Sequence, residues 1–228
     1  MAPIFSLDEE LIFPHPVLRE PDGLLAVGGS LSTSQLLLAY RWGIFPWYNE
    51  DQPILWWWTS PRLMINVTEV HISHSLRNTL NQNVFHCTID KDFLGVMKRC
   101  SSAKRKDQDG TWIIPEIIDS YSALFELGAA HSVEVYQKEK LVGGVYGVAL
   151  GKIFFGESMF ADVSNASKVG FIYLCRHLQS KGFTWIDCQQ DTPHMRSFGG
   201  QIIDEDNFLH ILRENQRFML NSNAYSVF

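Results

Sequence analysis

The sequence predicts an α+β protein, with a small N-terminal domain over residues 1–65 and a larger domain, built on a mixed β-sheet with flanking helices, over residues 66–228. Two observations favour this architecture. The first part of the chain is rich in proline, glycine and tryptophan and contains one helix-like periodicity. In the second part, an antiparallel series of strands leads through a helix-length segment to another strand, which is typical of a mixed sheet.

Composition limits the classes of function. The 228 residues are 46% hydrophobic and include 7 tryptophans and 15 phenylalanines, enough for a core and for aromatic pockets. The net charge of −6 means that any nucleic-acid contact needs a local basic patch. The 4 cysteines form no C-x-x-C pair, which argues against a zinc site and fits a reduced, cytoplasmic protein. No signal peptide and no membrane-spanning run are predicted.

One helix and two extended segments are predicted in the N-terminal domain. Ser32 or Thr33 can cap the helix, and Gly43 ends it. The apolar segments 44–48 and 54–58 are interrupted by prolines, which favour extended or looped backbone in the preceding residue.

Three helices are predicted next. Residues 70–83 indicate a helix or a strand-to-helix passage, and residues 90–100 a second short helix. Pro115 stands at the favoured first position of a third helix, whose apolar residues recur at helical spacing until Gly128 ends it.

An antiparallel meander of strands follows at 132–137, 141–150 and 153–157. A helix over 166–181 then connects to a strand at 184–187, and a connection of this length predicts that the last strand runs parallel to its neighbour.

A short helix near His194, a strand at 201–203 and a helix at 204–220 complete the chain. The meander, the crossover helix and the further strand describe an acetyltransferase-like (GNAT-like) sheet. Enzymes of that kind that use acetyl-CoA hold its pyrophosphate in a glycine-rich loop before the helix. Residues 161–170 contain no such loop, so coenzyme A is not expected as the acyl donor, and no cofactor or metal is predicted.

Two predicted strand ends carry polar side chains in place of apolar ones. Because residues two apart face the same side of a strand, Asp187 and Gln189 are predicted to share one side and Cys188 to face away. Glu157 joins them if the two strands are neighbours. The alternative is that both acids cap a turn or helix.

Seven segments resemble the leucyl/phenylalanyl-tRNA–protein transferase family. They are REPDGLLA at 19–26, GIFPW at 43–47, GTWI at 110–113, HSVE at 131–134, GESMF at 156–160, ASK at 166–168 and IDCQ at 186–189. The resemblance implies transfer of Leu or Phe, with Met as a further candidate, from aminoacyl-tRNA to the N-terminal Lys or Arg of a protein. Such transfer marks the acceptor for N-end-rule degradation. The same family carries a small N-terminal domain and an acetyltransferase-like C-terminal domain.

The resemblance also implies roles in catalysis. Aminolysis of an ester is downhill, so the enzyme has to orient two substrates and handle one proton. Gln189 would accept from the attacking amine through its carbonyl, with Asp187 fixing the orientation of the amide. Glu157 would hold a cationic amine, either that of the aminoacyl group or that of the acceptor.

The donor needs an apolar pocket for its side chain and a flat platform for its terminal adenosine. By match to the family, Tyr40, Trp47, Trp112 and Tyr121 are candidates for these contacts, and Val145 for the pocket wall. Val145 is shorter than the methionine found there in some relatives, which leaves the pocket depth open. The alternative for each aromatic residue is ordinary core packing.

The chain departs from its relatives around residues 74–84, where many carry a basic helix that can meet the tRNA acceptor stem. Here that segment is nearly neutral. Either the basic cluster from Lys98 to Lys106 takes over this role, or tRNA binding is weaker. His131 and His194 are interpreted as structural histidines.

The sequence disfavours two other functions. The missing pyrophosphate loop disfavours a CoA-dependent acetyltransferase, which a failed acetyl-CoA titration would dismiss. The presence of Glu157, Asp187 and Gln189 disfavours a non-catalytic binder of tRNA or peptide, and single-turnover transfer would decide. The expected partners are Leu- or Phe-tRNA and proteins that begin with Lys or Arg, without a membrane; a monomer is expected.

Overall fold

The computed structural model describes residues 4–8, 12–103, 111–222 and 228. Within these ranges the strands are β1 (Phe5–Leu7), β2 (Leu24–Gly28), β3 (Phe45–Pro46), β4 (Leu55–Trp57), β5 (Arg62–Asn66), β6 (His86–Ile89), β7 (Ala130–Gln137), β8 (Lys140–Leu150), β9 (Ile153–Ala161), β10 (Trp185–Asp187) and β11 (Gln201–Ile203). The helices are α1 (Thr33–Arg41), α2 (His74–Asn81), α3 (Phe93–Ser102), α4 (Pro115–Glu126), α5 (Ala166–Ser180), α6 (Pro193–Arg196) and α7 (Glu205–Ser222). None of these helices is both long and apolar enough to cross a membrane.

The strands form two sheets, which confirms the predicted α+β class. The small sheet has the order β1-β2-β4-β3, and the larger one has the order β11-β5-β10-β9-β8-β7-β6. In the larger sheet β9 and β10 are parallel and joined through α5, whereas the remaining pairs are antiparallel. The predicted meander and crossover are therefore confirmed. The edge strand β6 was not predicted, because its four partly exposed residues carry no clear alternation.

Helix α1 begins and ends as its sequence predicts. The hydroxyl of Ser32 accepts from the backbone N–H of Gln35, and Gly43 follows the helix with φ +70°. A side chain at Gly43 would collide with the Phe208 ring of α7, so glycine allows both the turn and the close approach. This turn fixes where β3 begins relative to α7.

The larger sheet separates two hydrophobic cores. Along β8, Tyr146 and Val148 face the core that the small sheet shares with α1, α3, α4 and α7. Val145 and Ala149 face the opposite core, which α5 covers together with α2. This alternation along one strand is the period of two expected for a sheet buried on both faces.

Strand β5 lies between β11 and β10 in the larger sheet. The predicted boundary between residues 65 and 66 would cut this strand. Sheet membership favours a boundary just before Arg62, and the division into two domains stays a prediction.

Candidate active site

A β-bulge positions Glu157. Gly147 of β8 pairs with Gly156 of β9, but the adjacent Tyr146 pairs with Ser158, so Glu157 is the extra residue. A bulge re-aims the side chain of its extra residue and bends the strand. The prediction that the strand ends at Glu157 is therefore wrong: β9 continues to Ala161, and the carboxylate leaves it from the middle.

The bulge directs the Glu157 carboxylate to two buried tyrosines from different helices. The hydroxyl of Tyr40 on α1 donates to Oε1 at 2.7 Å, and that of Tyr121 on α4 donates to Oε2 at 3.3 Å. Because each phenol carries one proton, Tyr121 divides its donation between Oε2 of Glu157 and the nearby hydroxyl oxygen of Tyr40. Just beyond the end of β10, the side-chain amide of Gln189 donates to Oε1 at 3.0 Å. Three side-chain groups thus meet at one carboxylate.

These surroundings perturb the acidity of Glu157. Burial raises the pKa of this carboxyl to about 7, and the nearby charge of Asp187 acts in the same direction. The hydrogen bonds from Tyr40, Tyr121 and Gln189 oppose this rise. Since the pKa of both phenols is raised by burial, they stay protonated and act as donors. A carboxyl with such a pKa can bind and release a proton near neutral pH.

Asp187 is engaged in a different set of contacts. Both of its oxygens accept from Arg62, Oδ1 from Nε and Oδ2 from a terminal nitrogen, each at 2.8 Å. Oδ1 also accepts from the backbone N–H of Gln189 at 2.8 Å. Asp187 and Arg62 are 0% and 1% exposed, so this is a fully buried bidentate ion pair.

The structure changes the expected relation between Asp187 and Gln189. Asp187 holds the backbone of Gln189, whereas Glu157 holds its amide. The strand alternation stops after Asp187, because Gln189 has φ +60°. Asp187 therefore does not contact the Gln189 amide. Glu157 and Gln189 do come together as predicted, but the prediction that Asp187 shares their side and Cys188 faces away is wrong: Cys188 lines the cavity with Gln189, and Asp187 does not.

Arg62 was not recognised in the sequence. It opens the apolar strand β5, where a lone arginine is unusual because a buried charge needs a partner. Besides Asp187, it donates to the backbone oxygen of Gly43 at 3.0 Å and to the Thr59 hydroxyl at 3.1 Å. An arginine in an otherwise buried strand is the signal that could have found it.

A cavity of about 330 Å³ opens beside Glu157 and Gln189. Pairing of β9 with β10 ends at Phe155 and Asp187, and the later part of β9 lines the opening. Its walls are mostly apolar and include Val145, Phe154, Met159, Phe171, Leu174 and Ile186. The two parallel strands therefore stop pairing next to the bulge, and the cavity opens there.

The predicted binding residues fall into two groups. Trp47, Trp112 and Val145 line the cavity. Tyr40 and Tyr121 are 1% and 0% exposed and do not line it, so they lie behind Glu157. The two tyrosines therefore contact the site through their hydrogen bonds to Glu157. Their rings are too buried for a ligand to stack on them.

The histidines differ in their positions. His131 is buried and bonded through Nδ1 to Asp90 at 2.8 Å and through Nε2 to the Gly128 carbonyl, a structural arrangement. His194 lines the cavity, and burial lowers its pKa, so its ring is neutral near pH 7.

The basic cluster is described in part. Arg99 forms an exposed ion pair with Asp162, and Lys98 is exposed. Lys104, Arg105 and Lys106 lie outside the described residues. Among the described residues, no group of three or more side chains could hold a metal ion.

Comparisons with known proteins show the family of this chain. Residues 64–213 match the family model for "Leucyl/phenylalanyl-tRNA protein transferase", and residues 29–60 match the model for its N-terminal domain. A protein of that name from Syntrophobacter fumaroxidans is 53% identical over 93% of this chain and 91% of its own length. One from Solidesulfovibrio magneticus is 50% identical over 92% and 85%.

Solved structures are more distant. The L-PGS structure from Bacillus licheniformis aligns with 71% of this chain at 13% identity and a TM-score of 0.42, and the alignment spans about half (52%) of that structure.

Proposed function

We propose that this chain, which belongs to the leucyl/phenylalanyl-tRNA–protein transferase family, moves leucine or phenylalanine from aminoacyl-tRNA to the N-terminal Lys or Arg of an acceptor protein. The observation that carries the proposal is the contact of Glu157 with Gln189 in the wall of a mostly apolar cavity. The cavity suits an apolar side chain, and the polar pair lies where an ester and an amine would meet.

The donor side chain would enter the apolar part of the cavity. Val145 and Met159 wall it from the sheet, and Phe171 and Leu174 wall it from α5. Another part of the cavity wall is formed by Trp112 and by Trp47, which is half-buried. These two rings would flank the terminal adenosine of the tRNA. Aromatic faces of this kind stack on nucleic-acid bases. Methionine remains a further candidate donor.

The ester carbonyl would then lie next to Gln189 and Glu157. Glu157 would hold the cationic amine, and Gln189 would contribute a polar contact to the reacting groups. The buried pair of Asp187 and Arg62 would act indirectly, by fixing the backbone position of Gln189. Positioning two reactants in this way accounts for much of the acceleration of a bimolecular transfer.

The wider role follows from the family. The transfer would mark acceptor proteins for N-end-rule degradation, in the cytoplasm, with a monomeric enzyme and no membrane. An acidic group beside the acceptor would favour a first residue of positive charge over one of negative charge.

The test is incubation of the chain with labelled Phe-tRNA or Leu-tRNA and a peptide that begins with Arg, with an acetyl-CoA arm as the control. We expect label on the peptide from both tRNAs and none from acetyl-CoA. Acetylation of the peptide would instead establish an acetyltransferase. Binding of tRNA without single-turnover transfer would establish a non-catalytic binder.

A further inference from the structure

We propose that Glu157 is the group that takes the proton from the attacking amine, and that Asp187, which Arg62 holds in a buried ion pair, serves as a positioning residue. This inference rests on the proposed function and concerns how the same site handles the proton. It assigns different roles to Glu157 and Asp187, although both are predicted from the sequence as acids at strand ends.

Asp187 has no free access to a substrate proton. It is 0% exposed and absent from the cavity wall, and each oxygen already accepts at least one N–H. Protonating it would break a contact with Arg62 and leave that guanidinium buried without its counter-ion. Such a loss is strongly unfavourable, so Asp187 is not available to take up a substrate proton.

Glu157 is placed differently. It is part of the cavity wall, and its three side-chain partners all donate to it: two neutral phenols and one neutral amide. No cation among its described hydrogen-bond partners fixes its charge. The amide of Gln189 must present its N–H to the carboxylate, so this residue orients Glu157 rather than serving as a base itself.

Every element around Glu157 contributes a neutral or a compensated group. Helix α1 supplies Tyr40 and α4 supplies Tyr121; β10 supplies Asp187, whose charge Arg62 of β5 balances. The other titratable groups nearby are Tyr146 on β8, Cys188 after β10 and His194 of α6. Burial raises the pKa of Cys188 and lowers that of His194, so both are neutral near pH 7. Glu157 is the group in this set that changes charge there.

The acidity of Glu157 suits the reaction. Its pKa of about 7 lies close to that of an α-amine, roughly 7.7–8.0, so a proton passes between them with little change in free energy. Efficient proton transfer needs such a match. Tyr40 and Tyr121 lower the pKa of Glu157 from the value that burial alone would give, so they are positioning residues that act through this carboxylate.

The proton balance is complete without another reactant. The amine reacts in its neutral form, after a cationic amine held at the site has released its extra proton to solvent. The neutral nitrogen bonds to the ester carbonyl carbon, and one of its remaining protons passes to a Glu157 oxygen. The bond between that carbon and the ribose oxygen then breaks, and Glu157 returns the proton to the leaving ribose oxygen. The amide, the free tRNA end and the starting carboxylate result.

The first measurement does not depend on activity. The chain is labelled with ¹³C at the glutamate side-chain carboxyl, Glu157→Gln identifies the signal, and the carboxyl is titrated by NMR. We expect a midpoint near 7 for Glu157 in the wild type. We expect Tyr40→Phe to raise it by about one unit and Tyr121→Phe to raise it less, because its hydrogen bond is longer. The matched control is Tyr48→Phe, which removes a buried phenol that donates to Glu116 instead.

The second measurement is single-turnover transfer from Phe-tRNA across pH 6 to 9. Tyr40→Phe should move the pH midpoint upward and recover the rate at high pH, whereas Tyr48→Phe should leave the midpoint in place. The proposal would be overturned by a titration midpoint near 4.5 for the Glu157 carboxyl. It would also be overturned if the pH midpoint of the transfer rate were the same in Tyr40→Phe as in the wild type. If the wild type transfers nothing from any aminoacyl-tRNA, the proposed function fails, and the carboxyl titration still decides the acidity of Glu157.

Discussion

The buried pair of Arg62 and Asp187 makes a quantitative prediction for stability. Arg62→Met removes two charge-assisted hydrogen bonds of 2.8 Å and leaves a carboxylate at 0% exposure without a counter-ion. It also deprives the Gly43 carbonyl of a donor at 3.0 Å. Removing one partner of a buried pair costs about 3–5 kcal/mol, and we expect a loss of that size in the free energy of unfolding measured in urea.

A matched surface pair provides the control. Arg99 and Asp162 also form an ion pair, but their side chains are 46% and 36% exposed. Arg99→Met should therefore cost less than about 1 kcal/mol. In the double variant Arg62→Met with Asp187→Asn, no buried charge remains, so part of the loss should be restored. If Arg62→Met costs no more than Arg99→Met, or if Asp187→Asn restores nothing, the explanation by an uncompensated buried carboxylate is wrong.

Three further predictions concern transfer and binding. Peptides that differ in their first residue should accept in the order Arg or Lys above Asp or Glu, since like charges repel near Glu157; equal transfer to Asp would refute this acidic-site assignment. Changing Lys104, Arg105 and Lys106 to Glu should weaken tRNA binding and flatten its salt dependence, because fewer counter-ions are released; an unchanged slope in a folded variant would exclude this patch. Gln189→Glu places a second carboxylate 3.0 Å from Glu157, and we expect a loss of roughly 10²-fold or more in single-turnover rate; a wild-type rate would show that a neutral amide is not required.

Much of the fold follows from local signals. The cap at Ser32, the proline at the start of α4 and the helix-length connection before β10 each fix an element by nearby residues. The grouping of Glu157 with Gln189 also followed, because Glu157 belongs to β9 and Gln189 follows β10, and the crossover makes these strands neighbours.

Other features depend on contacts that no local pattern reveals. The bulge at Glu157 arises from its register with β8, and an apolar run does not show an extra residue. Tyr40 and Tyr121 look like candidate ligand contacts in the sequence, yet tertiary packing places them behind the carboxylate. Arg62 finds its partner 125 residues away, so its role is visible only once the sheet is assembled.

The contacts that build the site join parts of the chain that are far apart, and this has a consequence for how activity is acquired during folding. Tyr40 reaches Glu157 across 117 residues, and Arg62 reaches Asp187 across 125. Contacts of such long sequence separation form late, because closing large loops costs chain entropy before it is rewarded. During synthesis, Tyr40 and Arg62 therefore cannot complete these contacts until the segments that carry Glu157 and Asp187 have been made. We expect aminoacyl transfer to appear only in the last phase of refolding, after most helical structure has returned.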